Sequence, residues 1–326
     1  MKRLKKILKW TGIILLVLIA GLTVLIFSRQ HIKFDASYPN IKASTDSAIL
    51  ARGKYLIYGP AHCAACHAPA SKRADVENGE LVTLSGGNEF KIPIGSIWSP
   101  NLSSDKETGI GNLKDEEIAR ALRYGVGHDG RALFAFMPFQ NASEADLTAI
   151  ISYLRTMPAV KNKVSGKQLN FMGKAVNAFL IKPVSPTGTP IDYIKPDSSV
   201  EYGKYLANNV ANCRGCHTNR NLKTGEFIGP DYAGGMHFED DNGTTGEFWT
   251  PNLTPDKTTG RIIDWTEQMF IDRLRKGRVY PASPMPWGPF KNLSETDLKA
   301  LYRFLKTVPP VNNKIEKTFE PPKKSS

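Results

Sequence analysis

Apolar positions along this chain fall into two regimes. The first is one unbroken run. Trp10 to Phe27 has no charge in 18 residues, and at 1.5 Å per residue a helix of that length spans about 27 Å, close to the hydrocarbon thickness of a bilayer. Beyond it the apolar residues recur at helical spacing. Leu147, Ile150, Ile151 and Leu154 make one stripe, and Leu298, Leu301, Tyr302 and Leu305 make another. The pattern predicts helices over roughly 46–58, 115–124, 171–181 and 266–276, with two more starting after Ser143 and Ser294. Ser143-x-x-Asp146 and Ser294-x-x-Asp297 resemble capping boxes with Asp in place of Glu, and Ser198-x-x-Glu201 is a capping box proper. Gly125 and Gly277 stop the middle helices, and Pro158 and Pro309 follow the last ones. Few stretches alternate as strands do, so the expected class is all-α.

The stripes recur because the chain contains an internal repeat. Gly53-Lys-Tyr55-Leu is matched by Gly203-Lys-Tyr205-Leu, Trp98-Ser-Pro-Asn101-Leu by Trp249-Thr-Pro-Asn252-Leu, and Met137-Pro-Phe139 by Met285-Pro-Trp287. Each copy is roughly 120 residues, the size of one small domain. The expected division is 1–33 for a basic flank and membrane helix, 34–158 for the first domain, 159–197 for a linker, and 198–326 for the second domain with its tail. A 39-residue connection is long for an idle loop. It is expected to pack across both domains and fix their orientation.

The chemistry sits at matched places in the two copies. All four cysteines fall in Cys63-Ala-Ala-Cys66-His67 and Cys213-Arg-Gly-Cys216-His217. Cys-x-x-Cys-His is the attachment sequence of c-type haem: two thioether bonds hold the porphyrin, and the histidine ligates the iron. A thioredoxin-like pair lacks its βαβ context here. A single four-cysteine zinc site leaves both histidines unexplained. Two covalently bound haems c are therefore expected. Met137 lies 74 residues after Cys63 and Met285 lies 72 after Cys213. A thioether favours Fe(II), so these are the expected distal ligands. His128 and His237 have no histidine counterpart, His62 is matched by Asn212, and His31 falls beside the apolar run. Trp98, Asn101, Trp249 and Asn252 carry N–H groups suited to haem propionates. Arg123 and Arg275, at matched helix ends, could pair with propionates or simply favour a helix C-terminus.

Charge refines the location. The net charge is +12, but Lys2, Arg3, Lys5, Lys6 and Lys9 precede the apolar run, and Lys323 and Lys324 lie on the tail. The basic flank holds the N-terminus in the cytoplasm and puts the rest outside, where c-type haem is attached. An uncleaved anchor is favoured over a signal peptide, because the run is long and no Ala-x-Ala site follows. Nucleic acid is not an expected partner. Asp115-Glu116-Glu117 and Asp240-Asp241 read as solvated runs.

The runs SPNLSSDKETGIGNLKDEEIARALRYG…DGRALFAFMPF and TPNLTPDKTTGRIIDWTEQMFIDRLRKG…MPW resemble the cytochrome c subunit of bacterial membrane-bound alcohol, aldehyde and gluconate dehydrogenases. The resemblance covers about residues 45–313. It implies two tandem class I cytochrome c-like domains, proximal His67 and His217, and distal Met137 and Met285. It also implies single-electron transfer from a dehydrogenase subunit or respiratory complex to quinone or a terminal oxidase. That family usually carries three haem motifs, and this chain has two. The rival reading is a dihaem enzyme such as a peroxidase, which needs one iron with an open face. A dihaem thiosulfate-oxidising enzyme with a cysteine ligand would need a fifth cysteine.

Overall fold

A computed structural model describes residues 2–221, 226–239 and 245–322. Asp240, Asp241, Lys323 and Lys324 lie outside the described residues. The elements run α1 (Lys2–Arg29), α2 (Ser47–Tyr58), α3 (Cys63–His67), α4 (Arg73–Glu77), β1 (Glu89–Ile92), β2 (Gly95–Trp98), α5 (Asp115–Tyr124), α6 (Glu144–Arg155), β3 (Gln168–Leu169) and α7 (Phe171–Phe179). They continue with α8 (Val200–Tyr205), which runs into one π-helical turn at Leu206–Val210, then α9 (Cys213–His217), β4 (His237–Phe238), β5 (Glu247–Trp249), α10 (Glu267–Lys276), α11 (Trp287–Lys291), α12 (Glu295–Leu305) and β6 (Phe319–Glu320).

The expected all-α class needs one correction. Two small antiparallel sheets are present, β1-β2-β3 and β4-β5-β6, and in each the third strand comes from the segment after the repeat's last helix. These strands are two to four residues long. That is too short to print the period-two alternation by which a strand is recognised.

The helix ends show what the capping motifs do. Ser143 and Ser294 hydroxyls accept from Asp146 N and Asp297 N at 3.1 and 3.0 Å, as an N-cap should. The aspartates do not close the boxes. Both turn away to groups of the other repeat: Tyr205 Oη donates to Asp146 at 2.8 Å and Tyr55 Oη donates to Asp297 at 2.5 Å. The α8 cap sits one residue later than expected, at Ser199, which accepts from Tyr202 N at 3.2 Å. Ser198 instead accepts from Arg303 of α12.

Within each copy the first and last long helices cross at a glycine. A Cβ on Gly53 would stand 1.9 Å from Ala149 O, and one on Gly203 would stand 2.0 Å from Ala300 O. Only glycine permits this approach of α2 to α6 and of α8 to α12. The copies also pack directly on each other through one continuous buried core. Their contact is reciprocal. Tyr205 Oη accepts from Ser143 N at 3.0 Å, and Tyr55 Oη accepts from Ser294 N at 2.8 Å. Each repeat's tyrosine therefore completes the start of the other's last helix.

The linker departs from expectation. From Lys167 to Asp192 its described bonds go to the first repeat and to the end of α1, including Glu144 N to Ile191 O and Asn177 Nδ2 to Gln30 O. The copies are joined directly, by the tyrosine pairs, by Arg278 on Glu77 at 2.6 Å and by Asn292 Nδ2 donating to Tyr58 O at 3.1 Å. Asp115 is likewise not a solvated residue. Its carboxylate accepts from Ala43 N and from Arg155 Nε, each at 2.7 Å. Helix α1 is long and apolar enough to cross a membrane, with mean hydropathy 2.6 over 18 residues.

Candidate haem sites

Both Cys-x-x-Cys-His motifs form a single helical turn, α3 and α9. The residue before each is left-handed: His62 has φ 41° and Asn212 has φ 54°. That conformation is unfavourable for residues other than glycine, though Asn and His adopt it more readily than most. It reverses the chain so that both cysteines and the histidine leave one turn.

The histidines are held alike. His67 Nδ1 lies 3.0 Å from Pro100 O, and His217 Nδ1 lies 3.1 Å from Pro251 O. A carbonyl can only accept, so Nδ1 carries the proton and the Nε2 lone pair is left for a metal. This second-shell bond fixes both tautomer and ring plane. Burial pushes both imidazoles below their usual range, His217 to about 4. Both are neutral at pH 7, as a ligand must be. Burial also pushes the Cys63 and Cys213 thiols up to about 12, so neither is a ready thiolate nucleophile. Among the described residues, no three His, Cys, Asp or Glu side chains converge as a metal-ion site.

In the second repeat a cavity of about 260 Å³ gathers Cys213, Cys216, His217, Trp249 and Met285 on its walls. Haem fits this donor set: attachment cysteines, a neutral imidazole and a thioether on one largely apolar cavity. Met137 lines a separate cavity of about 10 Å³ with Ala121, Leu133 and Gln140. Both methionines pack against the shared core.

The expected propionate donors divide. Asn101 and Asn252 are corrected to a structural role. Asn101 Nδ2 donates to Thr108 Oγ1 and Val160 O, and Asn252 Nδ2 donates to Thr259 Oγ1 and Val311 O, at 2.8–3.1 Å. Their Oδ1 atoms accept from Ser103 N and Thr254 N at 2.9 Å. One bond of each amide closes the loop on its own threonine, and the other staples the loop to the chain beyond the last helix. Arg123 is corrected too. It is 1% exposed and donates to Gln140 O, Ala142 O and Glu144, bracing the segment between Met137 and α6. Arg275 donates to Lys291 O from an exposed position. Trp98 ends β2, half-buried, and Trp249 lines the cavity stacked on His237 at 4.4 Å. His237 is further engaged by Glu247 at 2.9 Å. His128 offers its carbonyl to Arg120.

Three cavity residues escape a repeat-based search. Arg261 and Arg273 line the second cavity. Burial, and then the charge of Arg261, lower the Arg273 pKa. Two neighbouring cations facing an apolar cavity suit an anionic propionate. Ala121 stands in the first copy at the place of Arg273, and Arg261 falls beside Ile262, the counterpart of Ile110, where the second copy carries one extra residue, so neither arginine has a basic match. His62, from the first repeat's motif, also lines the second cavity, its ring edge-on to Phe290 at 5.7 Å.

Comparison with known proteins agrees with this site chemistry. The cytochrome c family model matches residues 50–158. The chain is 28% identical over 301 residues to the fructose dehydrogenase cytochrome subunit of Gluconobacter japonicus, covering 88% of this chain and 58% of that protein. It is 28% identical over 285 residues to the cytochrome c subunit of the quinone alcohol dehydrogenase of Gluconobacter oxydans (strain 621H), covering 82% and 56%. It is 25% identical over 309 residues to a diheme cytochrome c-type protein of Cereibacter sphaeroides, covering 91% and 96%. The chain thus spans under three fifths of the length of the two dehydrogenase subunits. Residues 50–158 are a cytochrome c domain, and the chain over most of its length resembles the cytochrome c subunits of bacterial fructose and alcohol dehydrogenases.

Proposed function

We propose that the chain is a membrane-tethered dihaem cytochrome c that passes single electrons from a dehydrogenase subunit or respiratory complex to an acceptor such as a terminal oxidase. The observation that carries this is the matched pair of imidazoles, each with Nδ1–H held by a proline carbonyl and Nε2 left free beside a Cys-x-x-Cys turn. When bound, haem supplies a one-electron couple. The chain's own residues do the rest. Cys63, Cys66, Cys213 and Cys216 hold it covalently. His67 and His217 would bind its iron through Nε2, and Met137 and Met285 would offer thioether sulfurs, which favour Fe(II) and so raise the potential. Apolar walls exclude water. Residues 34–158 and 198–326 form the two cytochrome c domains, and 10–27 cross the bilayer, leaving both domains on the periplasmic side.

Mass spectrometry of the denatured protein tests the attachment, and the expected mass is the polypeptide plus two haems. Met137→Ala and Met285→Ala should each remove one site's share of the far-red ferric charge-transfer band. If both variants keep the full band, the methionine assignment is wrong. Peroxide turnover at enzyme-like rates would replace the carrier by a dihaem peroxidase.

A further inference from the structure

Helix α7 carries its apolar residues on the wrong side for a soluble surface. Its small and polar residues, Gly173, Asn177 and Ala178, face the protein. A Cβ on Gly173 would stand 2.1 Å from Ile94 O, so the helix backbone rests on the β1–β2 turn. Asn177 fastens it, donating to Gln30 O at 3.1 Å and accepting from Lys167 Nζ at 2.6 Å. The large apolar side chains point outward: Phe171 is 55% exposed, Met172 63%, Phe179 38% and Leu180 62%. Met172, Ala175, Val176 and Phe179 stand at i, i+3, i+4 and i+7, one continuous stripe.

What lies against the stripe is indicated by its neighbour. Helix α7 packs on the last turns of α1. The Arg29 guanidinium lies over the Phe179 ring at 5.4 Å, and Lys174 Nζ lies over the Phe27 ring at 4.7 Å. Phe27 ends the uncharged run and Arg29 ends α1, so the stripe sits at the level where α1 leaves the hydrocarbon. Lys33 and Lys182 add charge close by in sequence. Aromatic and aliphatic residues with a Lys/Arg fringe compose a helix that lies in a membrane interface.

We propose that α7 is such a helix, with residues Phe171–Leu180 seated in the headgroup region of the bilayer that α1 crosses. The proposal rests on reading α1 as a membrane span. It gives the first repeat a second lipid contact. Two contacts fix the tilt of a body that one flexible tether would leave free, so both haem sites keep one presentation toward integral partners.

Site-directed spin labelling of the full chain tests it. Met172→Cys, Ala20→Cys in α1 and exposed Lys106→Cys carry a nitroxide in vesicles of phosphatidylcholine and phosphatidylglycerol. Unsubstituted protein measures any labelling of the native cysteines. The label at 172 should collide more with oxygen than with an aqueous nickel chelate, as at 20 and opposite to 106. A label at 172 that behaves like 106 while 20 stays in lipid overturns the proposal and leaves the span intact. If 20 is aqueous as well, both fall. A label at 172 shielded from both reagents means that protein, a second copy included, covers the stripe, and this too overturns the proposal.

Discussion

The reciprocal tyrosines predict unequal costs from two matched substitutions. Tyr205→Phe leaves Ser143 N–H, in a 1% exposed residue, without its partner and removes one donor from Asp146. Asp146 keeps the Arg52 guanidinium on both oxygens, at 2.9 and 3.0 Å. The loss is then one unpaired buried N–H, roughly 1–2 kcal/mol. Tyr55→Phe frees Ser294 N–H, in a half-buried residue, at about 1 kcal/mol, and takes a donor from Asp297, which is 2% exposed and makes no ion pair among the described residues. Removing one donor from that buried carboxylate, which keeps the Ser294 and Tyr202 side chains, adds about 1.5–2 kcal/mol, giving roughly 2.5–3 kcal/mol in all.

Urea unfolding of the two variants at pH 7, followed by far-UV circular dichroism, measures the difference as a midpoint shift at unchanged slope. Burial already raises the Asp297 pKa above the usual carboxylate range, and the Tyr55 hydrogen bond opposes that rise. Without Tyr55 the acid form is favoured further. The Tyr55→Phe penalty should therefore shrink as pH falls toward 4, while the Tyr205→Phe penalty should not. Equal costs at pH 7, or both below about 0.5 kcal/mol, would refute the reciprocal-cap argument.

Gly53→Ala and Gly203→Ala each push a methyl to within 2.0 Å of a facing carbonyl, and thermal melts should show a loss of at least about 1–3 kcal/mol. Arg123→Leu strips three acceptors of a fully buried donor and should cost roughly 2–4 kcal/mol, whereas Arg275→Leu, exposed, should stay within about 0.5 kcal/mol by the same melts. Arg273→Met removes a cavity-lining cation and should lower the second site's midpoint potential in a redox titration while leaving the first unchanged, because a nearby positive charge favours the added electron.

Much of this fold was legible because its elements announce themselves locally. The helices at 115–124 and 267–276 begin and end within a residue of their expected limits, since Glu117 and Thr266 cap one end and a positive-φ glycine closes the other. The strands were not legible. Each is pinned by partners up to 74 residues away, as Gly95 is against Leu169, and too short to alternate. The attachment motifs could be read because covalent haem binding fixes spacing within five residues. The propionate donors could not, because Asn101 and Arg123 present the right hydrogens for an anion and are claimed by backbone carbonyls that only the folded chain brings near.

The repeat itself explains the pattern of success and error. Residues matched between the copies are those that any one copy needs: the attachment cysteines and histidines, and also the scaffold. Gly53 and Gly203 let helices cross, Tyr55 and Tyr205 cap across the interface, and Asn101 and Asn252 staple a loop. Matching therefore mixes chemistry with architecture, and it removes whatever makes the two sites different. His62, Arg261 and Arg273 fail the match, yet all three face the second cavity. A carrier with two equivalent sites has no preferred direction of internal transfer. On the dihaem reading proposed above, two arginines on the second cavity, one of them where the first copy has Ala121, would make the second site the more oxidising.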